Sequence, residues 1–153
     1  MRILGLDPGE VTGVAVFDMP EGQIRPRLDL SKYVLLASQC AFHFDFKALI
    51  DEYKPDVIVF EQFRLYPHKA SVLAGSSLEP VQVIGILKYI AHEYSIPMFC
   101  TSAANAKKCY TDSKLKEHNL WVTGKQHTRD AIRHVLYYVD FGSGKESLFW
   151  YQK

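Results

Sequence analysis

Apolar and polar positions along the 153 residues follow two periods, and the switches between them outline the elements. Residues 2–7 (RILGLD) form a nearly continuous apolar run, as a strand buried on both faces requires. Pro8-Gly9 breaks it, and residues 12–17 (TGVAVF) read as a second strand, so the opening predicts a hairpin. Residues 19–30 hold two prolines and a glycine and read as a loop; residues 33–37 are a third strand. The spacing of Phe46, Leu49, Ile50 and Tyr53 predicts a helix over 44–53, stopped by Lys54-Pro55. Residues 56–60 (DVIVF) form another buried strand, which ends on Glu61. The polar, aromatic and basic stretch 62–77 is long for a connector, and loops of that length in compact domains often carry function. The longest helical pattern covers 78–94, followed by a short strand at 97–100. Ser102 is placed to cap a short helix running through Lys108. Residues 112–120 read as a charged turn or helix, 127–139 as an amphipathic helix, and 141–153 carry no clear pattern.

The resulting order, β-β-β-α-β-α-β-α, implies an α/β domain with a mixed sheet covered by helices on both faces. A length of 153 residues suits one such domain. Hydrophobic residues make up 48% and charged residues 23%, a globular composition. The longest apolar runs are far too short to cross a bilayer, and the N-terminus has no signal-peptide pattern, so a cytoplasmic location is the expectation. Cys40, Cys100 and Cys109 form no CxxC pair, which predicts reduced, partly buried thiols and neither a zinc site nor a disulfide framework. The formal net charge is only +1, but residues 1–100 carry nine Lys and Arg against twelve Asp and Glu, and residues 101–153 carry nine against five. An acidic part suited to cations and a basic part suited to phosphates are compatible with this asymmetry, as is ordinary surface scatter.

Four positions on three segments change the picture. Asp7 ends an apolar strand, where a carboxylate is costly unless paired or metal-bound, although an Asp before Pro-Gly is also an ordinary turn residue. Glu61 extends the strand face of Val57 and Val59. If the two strands are neighbours, the carboxylates converge and repel, and a divalent cation resolves that repulsion. His127 and Asp130, spaced i, i+3, lie away from the apolar side of their helix formed by Ile132, Val135, Leu136 and Val139. His134 falls near their side and reads as surface. An Asp, a Glu and a His/Asp pair on three separate segments are what two-metal phosphodiester hydrolysis requires. Carboxylate oxygens suit Mg²⁺, and Mn²⁺ tolerates the histidine better.

These residues resemble a known family. ILGLDPGEVTGVAVFD is similar to the first hairpin of RuvC-type Holliday junction resolvases, VIVFEQF to the strand bearing their catalytic Glu, and HTRDAIRHVL to their C-terminal catalytic helix. The three motifs stand in the family's order and span most of residues 1–140. The resemblance implies an RNase H-like fold with a five-stranded mixed sheet, and Asp7, Glu61, His127 and Asp130 as the catalytic and metal-binding set for two Mg²⁺ ions. It further implies a homodimer built around the 78–94 helix. Its activity would be symmetric nicking of a four-way DNA junction, leaving 5′-phosphate and 3′-hydroxyl ends. The family also places an aromatic just after the catalytic Glu, which points to Phe63 and Tyr66 for stacking on unpaired bases; packing of Phe63 beneath its own loop is an equal reading. Arg64, Lys69, Lys107, Lys108, Lys125 and Arg129 are the expected phosphate contacts, in a basic run that also includes Lys114, Lys116 and Arg133.

The stretches FRLYPHKASVLAG and AKKCYTDSKLKEHNLWVTGKQH depart from the bacterial pattern, and with the compact length they resemble phage-type members. The departures leave a broader branch or flap nuclease and an RNA-processing RNase H-like nuclease open as alternatives. Actin-like nucleotide-binding proteins also begin with a strand, an Asp and a Gly-rich hairpin, but they need a second phosphate loop and a far longer chain.

Overall fold

The computed structural model describes residues 1–20, 28–40, 45–72 and 74–142. Most of the loop expected at 19–30, the start of the helix expected at 44, and most of the tail 141–153 lie outside them.

Five strands, β1 (Arg2–Asp7), β2 (Thr12–Asp18), β3 (Val34–Cys40), β4 (Val57–Glu61) and β5 (Met98–Thr101), form one sheet in the order β3-β2-β1-β4-β5. The first three run antiparallel, and β1, β4 and β5 run parallel, so the expected mixed sheet is the observed one. Its helices are α1 (Asp45–Tyr53), α2 (Pro67–Ala70), α3 (Glu79–Glu93), α4 (Ala103–Cys109), α5 (Asp112–Glu117) and α6 (Gln126–Phe141). Most elements shift by only a few residues from their expected bounds, and two differences stand out. β3 continues to Cys40 because it pairs with β2 along its whole length, and one helical turn, α2, interrupts the 62–77 loop with Pro67 at its start, where the missing N–H costs nothing. Ser102 caps α4 as expected, accepting from the Asn105 amide.

Strand alternation divides the core into two layers. Leu4, Leu6, Val14, Val16, Ile58 and Phe60 pack with Phe46 and Ile50 of α1 and Val83, Leu87 and Ala91 of α3. Ile3, Ala15, Phe17, Val57, Val59 and Phe99 face Ala131, Ile132, Val135, Leu136 and Val139 of α6. The three cysteines are partly buried and form no disulfide among the described residues. No helix among the described residues is long and apolar enough to cross a membrane.

α6 comes unusually close to the sheet because two glycines leave room for it. A Cβ on Gly5 would stand 2.3 Å from the Val135 side chain, and one on Gly13 would stand 2.0 Å from the carbonyl oxygen of His127. The helix start therefore rests on the backbone of β2, directly beside β1, where Gly13 pairs with Asp7. Gly13→Ala is expected to push the start of α6 away, since backbone cannot yield as a side-chain tip does. The cost should be about 1–3 kcal/mol, as for overpacking elsewhere, and a lowered denaturant midpoint would register it.

Candidate active site

In the parallel pair β1–β4, Leu6 stands opposite Phe60, so the next residues, Asp7 and Glu61, sit side by side at the strand ends. Both continue the face covered by α6, in line with Ile3 on β1 and with Val57 and Val59 on β4. The condition set by the sequence, that the two strands be neighbours, is met.

α6 then brings three polar residues, spaced three and four apart, to this pair. His127 Nδ1 lies 2.7 Å from Asp7 Oδ2. Asp130, only 3% exposed, is held by two cations: Arg133 Nη1 donates to its Oδ1 at 2.6 Å, and Lys107 Nζ lies 3.0 Å from its Oδ2. His134 Nε2 lies 3.2 Å from Glu61 Oε2, and its Nδ1 is hydrogen-bonded to Thr101 Oγ1 at the end of β5. Asp7, Glu61 and His134 each offer one ligand atom, and these atoms lie within 4.8 Å of one another.

Two expectations about α6 are corrected here. His134 is not surface: it is 1% exposed and aimed at Glu61. Asp130 does lie off the apolar stripe, yet it too is buried, as are Thr128 and Arg133. Their burial arises because α6 packs against α4 as well as against the sheet. Of the residues that complete the site, Thr101 has no signal in the sequence, Arg133 reads there as part of the basic run and His134 as surface, although the spacing of His134 is a legible signal. His134 follows His127 by seven residues and Asp130 by four, the spacing of one helix stripe.

The electrostatics match a site built for positive charge. Burial pushes the Asp7 carboxyl up to about 6, the nearby Glu61 and Asp130 add to this, and the hydrogen bond from His127 opposes it. Burial also works against Glu61, but the bond and charge of His134, a hydrogen bond from Asp7 and the charge of Lys107 outweigh it and hold Glu61 below its ordinary value. Two carboxyls side by side make a second negative charge costly, and nearby positive charge relieves that cost. A divalent metal ion fits this donor set, with Asp7 and Glu61 as the residues that would hold it.

Two open grooves flank the carboxylates. One, of about 730 Å³, runs from Glu61 along Phe63, Arg64, Tyr66 and Val72 to Ser102 and Ala104. It holds both predicted aromatics: Phe63 is half-buried, and Tyr66 is 50% exposed with its ring stacked near His68. The other, of about 450 Å³, is lined by Lys107, Thr111, Asp112, Gln126, Arg129, Asp130 and Arg133.

The predicted phosphate contacts divide. Lys107, Lys108 and Lys125 are exposed, Lys107 with its ammonium on Asp130, and Arg64 is exposed with its Nε on Gln62 Oε1. Arg129 is committed to the fold: its guanidinium lies 4.5 Å from the Trp121 ring centre and donates to the Val122 carbonyl. Arg133 is buried in ion pairs, Lys114 binds the Cys109 carbonyl, and Lys116 sits over Trp121. The basic run is therefore only in part a free cationic surface. The Lys69 side chain lies outside the described residues.

No protein-family model matches the chain, and no curated protein matches its sequence. Solved structures do match in shape. Thermus thermophilus RuvC in complex with a Holliday junction substrate superimposes with a TM-score of 0.66 at 13% identity, covering 90% of this chain and 92% of that one. Thermus thermophilus RuvC in another structure gives 0.65 at 14% identity, covering 90% and 93%. The fowlpox virus Holliday junction resolvase gives 0.52 at 15% identity, covering 91% and 98%. At such identities the likeness is one of fold. Together with the sheet order it defines an RNase H-like α/β domain. Within that class, the fold is the one found in RuvC-type resolvases.

Proposed function

We propose that this chain is a metal-dependent endonuclease that resolves four-way DNA junctions. The observation that carries the reading is the meeting of Asp7 and Glu61 with the polar stripe of α6, at the strand ends of a resolvase-like fold. Asp7 and Glu61 would hold one Mg²⁺. Asp130 would serve a second ion once Lys107 yields its place on Oδ2. Bound cations of this kind polarise the scissile phosphate and make water a nucleophile near neutral pH.

The chain's own residues supply the rest. His127 is anchored to Asp7 through Nδ1, which leaves Nε2 as the atom to take a proton from the attacking water. Arg133 fixes the Asp130 carboxylate, and Lys108 and Lys125 offer charge to the phosphate backbone. Phe63 and Tyr66, in the groove that opens beside Glu61, suit stacking on bases unpaired at a branch point. Symmetric nicking of two strands needs two such sites, and Val81 (44% exposed) and Tyr89 (66% exposed) on α3 are apolar surface suited to a homodimer contact.

The test is Mg²⁺- or Mn²⁺-dependent nicking of a synthetic four-way junction beside linear duplex, Y-fork, flap and structured RNA. The expected result is paired nicks of like polarity in the junction, with ends that a ligase reseals and an intact duplex. Equal cutting of forks and flaps would replace this reading with the broader branched-DNA nuclease. Failure to cut any of these substrates would overturn it.

A further inference from the structure

Resting on the nuclease reading of this site, we propose that His134 is a metal ligand, so that the ion between β1 and β4 is held by one imidazole nitrogen and two carboxylates. Three observations lead there. His134 Nε2 is one of three ligand atoms within 4.8 Å of one another, the others being carboxylate oxygens of Asp7 and Glu61. The imidazole is 1% exposed, placed by α6 at the bottom of the cluster and away from bulk water. Its other nitrogen, Nδ1, is tied to Thr101 Oγ1, itself on a residue 3% exposed. That is the usual arrangement of a ligating histidine: Nδ1–H donates to an oxygen, which fixes the tautomer and leaves the Nε2 lone pair for the ion.

The alternative tautomer, with Nε2–H donating to Glu61, would make His134 a positioning residue only. Geometry favours the ligand role because Nε2 faces oxygens of both Asp7 and Glu61, and a lone pair completes an N,O,O set there. His127 differs: its Nδ1 is on Asp7 and its side chain is 46% exposed, at the rim. An imidazole donor changes ion preference. Mg²⁺ favours oxygen ligands, whereas Mn²⁺ accepts nitrogen, so this site should prefer Mn²⁺ more than an all-carboxylate site would.

Pulsed EPR on the Mn²⁺-loaded full-length protein tests this directly, because it detects ¹⁴N coupled to the ion whether or not any substrate is cut. Coupling is expected in the wild type, to be lost on labelling with ¹⁵N-histidine and retained in His127→Ala, a change at an exposed side chain. In His134→Leu, which keeps the buried volume, the coupling should vanish. Mn²⁺ affinity should fall about tenfold or more, and Mg²⁺ affinity by less. Absence of histidine coupling in the wild type, or its loss in His127→Ala, would overturn the assignment even if His134→Leu does not fold. The junction assay separates the two readings. Coupling from His134 without cleavage of any nucleic acid sinks the nuclease and keeps the ligand, and cleavage without coupling does the reverse.

Discussion

Asp7→Asn is expected to abolish cleavage of a four-way junction while leaving junction binding close to that of the wild type. Asp7 stands at the centre of the cluster, bonded to His127 and beside Glu61, so its carboxylate contributes to any ion held there. Losing that contribution removes several kcal/mol of charge stabilisation from the transition state, or roughly a thousandfold in rate. In the proposed reading, binding rests on exposed lysines and aromatics other than Asp7, and the substitution keeps the shape of the side chain. A mutant that cuts at the wild-type rate would remove Asp7 from the chemistry.

The same substitution has a second, opposite effect on stability in the absence of metal. The carboxyl of Asp7 lies at about 6 in the fold against 3.8 when unfolded, chiefly because burial disfavours its charge. The folded state therefore holds the proton more tightly. The stabilisation linked to Asp7 is fully present below about pH 4 and is lost as pH rises through about 6. At neutral pH, Asn avoids the buried charge. Metal-free Asp7→Asn should accordingly melt above metal-free wild type at pH 7, and the gap should close as pH falls toward 4. Adding Mn²⁺ should stabilise the wild type more than the mutant, because only the wild type presents both carboxylates to the ion. Thermal melts across pH, with and without the ion, measure all of this.

Arg133→Leu should produce the largest loss of stability among single changes at the site. The Arg133 side chain is 7% exposed and serves three acceptors: Asp130 Oδ1 at 2.6 Å, the Tyr110 carbonyl at 2.8 Å, and Asp112 Oδ1. Asp130 is itself 4% exposed in its side chain, so removing the guanidinium leaves a buried carboxylate with Lys107 as its remaining cation. Breaking a buried pair in this way costs about 3–5 kcal/mol. For a domain of this size that lowers the melting temperature by roughly 6–20 °C. Asp112 is 62% exposed and hydrates readily, so Asp112→Asn should cost less than about 1 kcal/mol. Arg133→Lys should fall between, since an ammonium keeps the charge but not the three-way fork. A melting temperature for Arg133→Leu within about 2 °C of wild type would show that Asp130 does not depend on this contact.

The parts of the site that could be read in advance are those encoded in neighbouring residues. Strand alternation alone put Glu61 on the face of Val57 and Val59, and the apolar run before Asp7 marked it as a buried strand end. The i, i+3 spacing of His127 and Asp130 set them on one side of α6. His134 was misjudged because its helix stripe is polar, and a polar stripe is exposed unless another element covers it. That cover comes from α4 and the sheet. Charge along a sequence carries no information about partners, so Arg129 reads there as a phosphate contact and Arg133 as part of the same basic run. Trp121, Asp112 and Tyr110, which engage them, reach them only through the fold.

What the sequence by itself determined was the five strands and the longer helices, their layering, and the two carboxylates at strand ends. These follow from periods of two and about 3.6 residues, which are properties of consecutive side chains. What only the tertiary structure decided was which charges are neutralised and which remain for a ligand. Arg133 and Lys107 hold Asp130, and Thr101 and Glu61 orient His134. The closeness of α6 to β1 and β2, which Gly5 and Gly13 permit, brings those groups within reach of one another. Electrostatic pairing depends on distance in space, and a distance of that kind exists only after the sheet and helices have packed.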